Sequence, residues 1–361
     1  MSSMFNESIK ISLFGESHGE AIGAVLDGLP AGEKIDLDEV NLQMQRRAPG
    51  QSDVASARRE ADIPRVISGL LNGHTTGAPL CTLIDNVGAK PKDYDALHNV
   101  LRPGHADYTA RVKFNGFNDT RGGGHFSGRL TAALTFCGAI CRQILARRGV
   151  AIGAHIYSIS DVHDAPFDTE ISGDLLKRLS REKFSLINSS VKEKMLEKIR
   201  SAKAAGDSVG GIVECAISNV PAGLGSPIFD GVENKISSLI FAIPAVKGIE
   251  FGAGFASTAM LGSQNNDEFV LIDDKIRIKA NYHGGILGGI TSGMPIIFRC
   301  AIKPTPSIAK PQITVDIATN QPAEISVAGR HDPCVVPRAV PVVEAVAAIA
   351  MMDFFKEAGL L

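Results

Sequence analysis

Short runs in which apolar and polar residues alternate recur along the chain: IKISLF, AIGAVLDGL, PLCTLI, AHIYSIS, GIVECAISNV, KIRIKANY and MPIIFRCAI. A period of two puts every second side chain on one face, the mark of half-buried antiparallel strands. Two segments follow a different rule. Residues 130–148 (LTAALTFCGAICRQILARR) and 340–356 (VPVVEAVAAIAMMDFFK) are apolar around most of a helical circumference, which predicts helices buried on more than one side. Residues 183–206 (KFSLINSSVKEKMLEKIRSAKAAG) carry charge along one face and predict a surface helix. Antiparallel strands around buried helices predict an α+β fold in layers, with the helices inside. A faint echo links AVLDGLPAG at 24–32 with ECAISNVPAG at 214–223. Each is a strand followed by a Pro-Ala-Gly turn, and two similar halves or chance account for it equally well.

Composition changes this picture little. The 361 residues suffice for one large core or two domains, and 44% hydrophobic with 21% charged residues is ordinary for a globular chain. A net charge of −2 lacks the basic excess that nucleic-acid binding usually needs, so none is expected. The N-terminal MSSMFNESIKIS has no signal-like apolar core, and the apolar run 130–141 is shorter than the ~20 residues that span a bilayer. A soluble, cytoplasmic protein without membrane contact is the expectation. Six cysteines show no C-x-x-C spacing. Cys137 and Cys141, four apart on a predicted helix, read as small buried hydrophobes, and no metal site is expected.

Candidate chemistry concentrates in glycine-rich segments. The chain has 37 glycines, and four of its nine histidines lie among them beside an arginine or carboxylate: GESHG (His18), RPGHAD (His105), RGGGHFSGR (His125) and AGRHDPC (His331). His283 lies in HGGILGG. Histidine exchanges protons near neutral pH, arginine forks match carboxylate and phosphate, and glycine lets backbone approach a ligand. Arg102, Arg121, Arg129 and Arg330 lie in or beside these loops, and Arg46–Arg47 and Arg58–Arg59 form pairs. So many in a near-neutral chain point to a small polyanionic ligand. KPTPS at 303–307 offers donors on a proline-stiffened loop, suited to a phosphate or to a plain turn. HGGILGGITSG lacks the Lys-Ser/Thr of a Walker loop. GESHG also fits the G-x-S-x-G elbow of serine hydrolases. Only fourteen residues precede it, however, too few for an earlier strand with an oxyanion loop, and the residues after it, EAIGAVLDGLPAG, read as a strand instead of a helix.

Taken in order, GESHG, QRRAPGQSD, ARREAD, RPGHADYT, RGGG, VPAGLGSPIFD, AVKGIEFG, HGGILGGITSG, KPTPS and GRHDPC resemble the motif series of chorismate synthases over nearly the whole chain. The resemblance implies a single domain, 1–361, with the family's β-α-β sandwich, central helices between two mainly antiparallel sheets, and a homotetramer. It implies 1,4-anti elimination of phosphate from 5-enolpyruvylshikimate 3-phosphate to give chorismate, the last step of the shikimate pathway, with reduced FMN and no net redox change. It further implies that His18 protonates the departing phosphate, that His105 protonates the reduced flavin, and that Asp332 helps the flavin N5 act as base toward the C6 hydrogen. Ser17, Arg47, Arg102, Arg129 and Arg330 are the substrate-site residues on this match. Ser127, Ala245, Gly288, Lys303, Thr305, Ser307 and Arg330 are the FMN contacts. NADPH is the candidate source of reducing equivalents, and an external flavin reductase is expected because no added domain is evident. Where many members read RGGGRSSAR, this chain has His125 and Phe126. Asp53 stands where a basic residue is common, and Pro244 where Asn is frequent. Two rivals are kept: a serine hydrolase acting through Ser17, and a flavin-binding homologue without catalysis.

Overall fold

A computed structural model describes residues 3–50, 60–87, 99–327 and 332–361. The first sheet holds β1 (Met4–Asn6), β2 (Lys10–Gly15), β3 (Ala21–Asp27), β4 (Arg65–Ser68) and β5 (Leu80–Asp85), in the order β1-β2-β3-β5-β4. The second holds β6 (Ala151–Ile159), β7 (Val162–His163), β8 (Gly211–Ser218), β9 (Val246–Phe251) and β10 (Ile296–Ile302), in the order β9-β10-β8-β6-β7. Every neighbouring pair is antiparallel, as the alternation predicts.

Between the sheets lie helices α1 (Leu37–Arg47), α2 (Thr131–Arg147), α3 (Val232–Phe241) and α4 (Val336–Glu357). α2 packs on β2, β3 and β5, α4 packs on β6 and β8, and the two helices pack on each other. This explains why both are apolar around their circumference: each meets a sheet on one side and a helix on the other. The layering is the β-α-β sandwich expected from the sequence. Cys137, Cys141, Cys215, Cys300 and Cys334 are free and buried. Burial pushes the Cys137 thiol up to about 12, so it packs as an apolar group. No helix among the described residues is long and apolar enough to cross a membrane.

The helix–helix contact is tight at Gly138, where a Cβ would lie 2.3 Å from both Cα and Cβ of Ala345. Gly138→Val should therefore destabilise the fold by roughly 3 kcal/mol, at the upper end for overpacking. Chemical denaturation checks this, and an unchanged midpoint would show that the helices part at no cost.

The Pro-Ala-Gly echo has a structural counterpart. β3 and β8 are each the middle strand of a sheet, and the turns that follow them are held alike. Thr75 Oγ1 donates to Pro30 O at 2.6 Å and accepts from Glu33 N at 2.9 Å. Thr291 Oγ1 donates to Pro221 O at 2.7 Å and accepts from Leu224 N at 2.9 Å. The surface helix differs from the periodicity: it spans Lys192–Ala204, not 183–206. Residues 185–188 stay out of the helix because Ile187 N and Asn188 N donate to the Asp164 carboxylate, and Ser185 O accepts from Ile156 N.

Candidate active site

At one end of the helix layer a cavity of about 870 Å³ falls within the ~300–1,000 Å³ typical of ligand pockets. His18, His105 and Asp332 all line it, with Arg47, Arg102 and Arg129. Segments far apart in sequence meet here: the β2–β3 turn, the loops before α2, the loop after β10 and the start of α4.

The Gly-rich loop sets the spacing of the two histidines. Gly122, Gly123 and Gly124 have φ of 61°, 107° and 52°, conformations that side chains rarely tolerate. A Cβ on Gly122 would lie 2.0 Å from His18 Cε1, and one on Gly123 would lie 3.0 Å from His105 Nε2. The loop backbone is thus a spacer with one imidazole against each glycine. Gly122→Ala should push the His18 ring aside and lower turnover roughly tenfold to a hundredfold, as small misplacements of a reacting group do. Steady-state kinetics on the folded variant check this, and an unchanged kcat would show that the ring position does not matter.

Ser17 lies behind His18. It is fully buried and does not line the cavity. Its Oγ donates to Arg121 O at 3.2 Å and lies 3.1 Å from His18 Nδ1. The hydroxyl thus backs the His18 ring and ties it to the Gly-rich loop. The motif also sits in a hairpin turn between two antiparallel strands, without the helix an elbow requires. The hydrolase reading has no support.

Arg47 and Arg129 are almost fully buried and converge on one carboxylate. Arg47 Nη1 donates to Asp62 Oδ2 at 2.8 Å, and Arg129 Nη1 donates to Asp62 Oδ1. Arg129 also meets Glu60 at 3.3 Å and donates to Asn86 Oδ1 at 2.9 Å, while Arg47 donates to Thr131 Oγ1 at 3.0 Å. Burial depresses Arg47 to about 10, still cationic at neutral pH. Burial pushes the Asp62 carboxyl up, but the two guanidiniums outweigh it and hold the group below the usual carboxylate range. Asp62 belongs to the ARREAD segment, and sequence reading passed it over in favour of the arginines around it.

Lys303, Thr305, Ser307, Ser127 and Ala245 also line the cavity. Ala245 adopts φ 75°, a strained value for a residue with a Cβ, and its carbonyl accepts from Lys303 N at 2.9 Å. Lys303 Nζ donates to Gly104 O at 2.5 Å, linking this loop to the RPGH segment. Thr305 Oγ1 is buried without a hydrogen-bond partner among the described residues, a donor and acceptor free to meet a polar ligand. Asp332 pairs with Arg338, which also donates to Arg47 O at 2.9 Å. Arg338, at the first turn of α4, was not singled out by sequence, because it stands outside the glycine-rich motifs.

One expected contact, Gly288, does not join this group. Gly288 has φ 63° in the turn of a hairpin between Ile286–Leu287 and Ile290–Thr291 and does not line the cavity. Arg330 lies outside the described residues, as does Asp53. Of the departures noted, His125 is anchored through Nδ1 to Gly15 O at 2.8 Å and through Nε2 to Ser3 Oγ at 2.6 Å. Phe126 packs near Phe114 with centroids 6.1 Å apart, and Pro244 lines the cavity.

Comparison with known proteins agrees with the motif series. Residues 9–355 match the family described as chorismate synthase. The chorismate synthase of Korarchaeum cryptofilum is 46% identical, covering 97% of this chain and 96% of its own. That of Thermococcus kodakarensis is 43% identical over the same shares. A solved structure titled "Crystal Structure of Chorismate Synthase" superposes with a TM-score of 0.76 at 28% identity, covering 97% of this chain and 92% of that one. With the fold, the order of the loops and full-length similarity in agreement, this chain belongs to the chorismate synthase family.

Proposed function

We propose that the cavity flanked by His18 and His105 is where this chain eliminates phosphate from 5-enolpyruvylshikimate 3-phosphate to form chorismate. The observation that carries the assignment is the meeting of two histidines, three buried arginines and Lys303 around one cavity. The substrate bears a phosphate and two carboxylates, which arginine forks and Lys303 at the cavity wall stabilise. In this reading Arg47, Arg102 and Arg129 hold the anionic groups, with Arg330 in the same role. His18 delivers a proton to the departing phosphate as the C3–O bond breaks, so that the dianion does not leave unneutralised. Ser17 steadies the His18 ring through Nδ1.

The residues present fit a flavin phosphate: Thr305 Oγ1 has no partner among the described residues and lines the cavity with Lys303, Ser307 and Ser127. These four with Ala245 would hold FMN; Gly288 and Arg330 belong to the same expectation. Reduced flavin, when bound, supplies electron density transiently and returns it, so the reaction has no net redox change. His105 exchanges its proton through Nε2, at the cavity wall. Asp332 is the carboxylate assigned to loss of the C6 hydrogen, with Arg338 holding it in place. A homotetramer, FMN reduced by a separate reductase drawing on NADPH, and a cytoplasmic setting complete the reading.

The test is anaerobic incubation of the protein with 5-enolpyruvylshikimate 3-phosphate and reduced FMN. Chorismate and phosphate should appear together in equal amounts. Tight FMN binding without phosphate release would favour a flavin-binding homologue that lacks the chemistry.

A further inference from the structure

The proton that His105 holds has to be placed on a particular nitrogen, and the structure contains a group suited to place it. Asp107, two residues on, does not line the cavity. It sits behind His105 at the first turn of the helix Asp107–Lys113. Its Oδ1 lies 2.8 Å from His105 Nδ1 and accepts from Arg102 Nη2 at 2.7 Å. Its Oδ2 accepts from Arg102 Nε at 2.8 Å and from Arg102 N at 2.9 Å. One carboxylate therefore closes the whole Arg-Pro-Gly-His turn and touches both functional side chains in it.

We infer that Asp107 is a positioning residue: it fixes the ring proton of His105 on Nδ1 and the guanidinium of Arg102 in one plane, leaving His105 Nε2 to work at the cavity. The inference rests on the role given to His105 above. The argument is one of donors and acceptors. An ionised carboxylate only accepts, so a contact of 2.8 Å needs the proton on Nδ1. Arg102 Nη2 also approaches Nδ1, at 3.3 Å, but a guanidinium only donates and cannot use an Nδ1 that already carries hydrogen. The shorter, charge-assisted contact decides. Asp107 is itself held ionised: burial pushes its carboxyl up, yet the hydrogen bonds from His105 and Arg102 bring it well below the usual range. With Nδ1 engaged, Nε2 is left on the ring edge that lies against Gly123. A carboxylate on one imidazole nitrogen sets the tautomer used at the other. The turn is also tied from outside, because Leu101 N donates to Val315 O at 3.3 Å and Leu101 O accepts from Thr314 Oγ1. Asp107 thus works on a backbone that is already anchored.

The experiment combines nitrogen-15 NMR of histidine-labelled protein with a kinetic cycle. In the ligand-free wild type, the His105 signals, assigned by their loss in His105→Gln, should show protonated Nδ1 and unprotonated Nε2 in the neutral ring. A proton on Nε2 instead overturns the inference without any variant at Asp107. Asp107→Asn should keep the wild-type melting curve, lose the single tautomer, lower kcat roughly tenfold or more and raise KM as Arg102 loosens. In a His105→Ala background the same substitution should change kcat less than about threefold. Independent, multiplying losses, or wild-type kcat in Asp107→Asn, overturn it. If His105→Ala alone turns over normally, the role of His105 falls, while the NMR result still judges the placement of the proton.

Discussion

His18→Ala should fold normally and lose at least ~10²-fold in turnover, the lower range for a proton donor. That corresponds to about 2.7 kcal/mol of transition-state stabilisation. The fold should survive because the ring packs against the Gly122 backbone at the cavity wall and not in the hydrophobic core. The loss should fall on kcat more than on KM, since a donor to a leaving group acts as the bond breaks. Anaerobic single-turnover formation of chorismate with saturating reduced FMN measures it. A wild-type rate would show that the arginines and Lys303 neutralise the phosphate unaided. His105→Ala should show a loss of similar size, and the two variants together separate the histidines' roles.

The second large effect is structural in origin. Asp62→Ala removes the carboxylate shared by Arg47 and Arg129, both at least 95% buried. Removing one partner of a buried ion pair typically costs ~3–5 kcal/mol, because the charge left behind stays desolvated. Glu60, Asn86 and Thr131 continue to hold parts of the two guanidiniums, which places the expected loss near the lower end. The pH dependence has a definite sign. The Asp62 carboxyl is held below its ordinary value by the guanidiniums, so in acid the unfolded chain binds its proton first. The stabilisation is complete above the unfolded value of about 3.9 and is lost as pH falls through the lower folded value. Urea unfolding of wild type and variant at pH 7 and at successively lower pH checks both points. The difference between them should shrink on the acid side. Equal stability at pH 7 would mean that the cluster is balanced without Asp62.

The same carboxylate bears on function. Asp62 holds the two arginines at the cavity wall in a fixed geometry. Asp62→Ala should therefore also raise KM for the phosphorylated substrate. This coupling of stability and binding is common where a site is built from buried charges.

The parts that were legible in the sequence share one property: they depend on residues near each other in the chain. Alternation in KISLF and AIGAVLD marks strands because the period of two is local. The all-round apolar character of TAALTFCGAICRQILAR marks a helix between two layers, since no surface helix needs it. The surface helix starts later than its pattern predicts because Asp164, outside the segment, supplies the acceptors that keep residues 187–188 out of it. The orientation of Ser17 is not legible in the sequence for a similar reason. Its motif gives the residue types, but the direction of its hydroxyl depends on Arg121 O, more than a hundred residues away.

By itself, the sequence determined the layered α+β fold, the order of the strands' parent segments and the set of histidine, arginine and glycine motifs that mark the family. Periodicity and motif order are properties of neighbouring residues, and they hold wherever the segment ends up. Only the tertiary structure decided which groups act together. It placed Gly122 against His18 and Gly123 against His105, joined Arg47 to Arg129 through Asp62, and kept Gly288 away from the cavity. Those relations are made by long-range packing, where contacts of about 3 Å between distant segments set proton positions and charge balance, and no spacing along the chain encodes them.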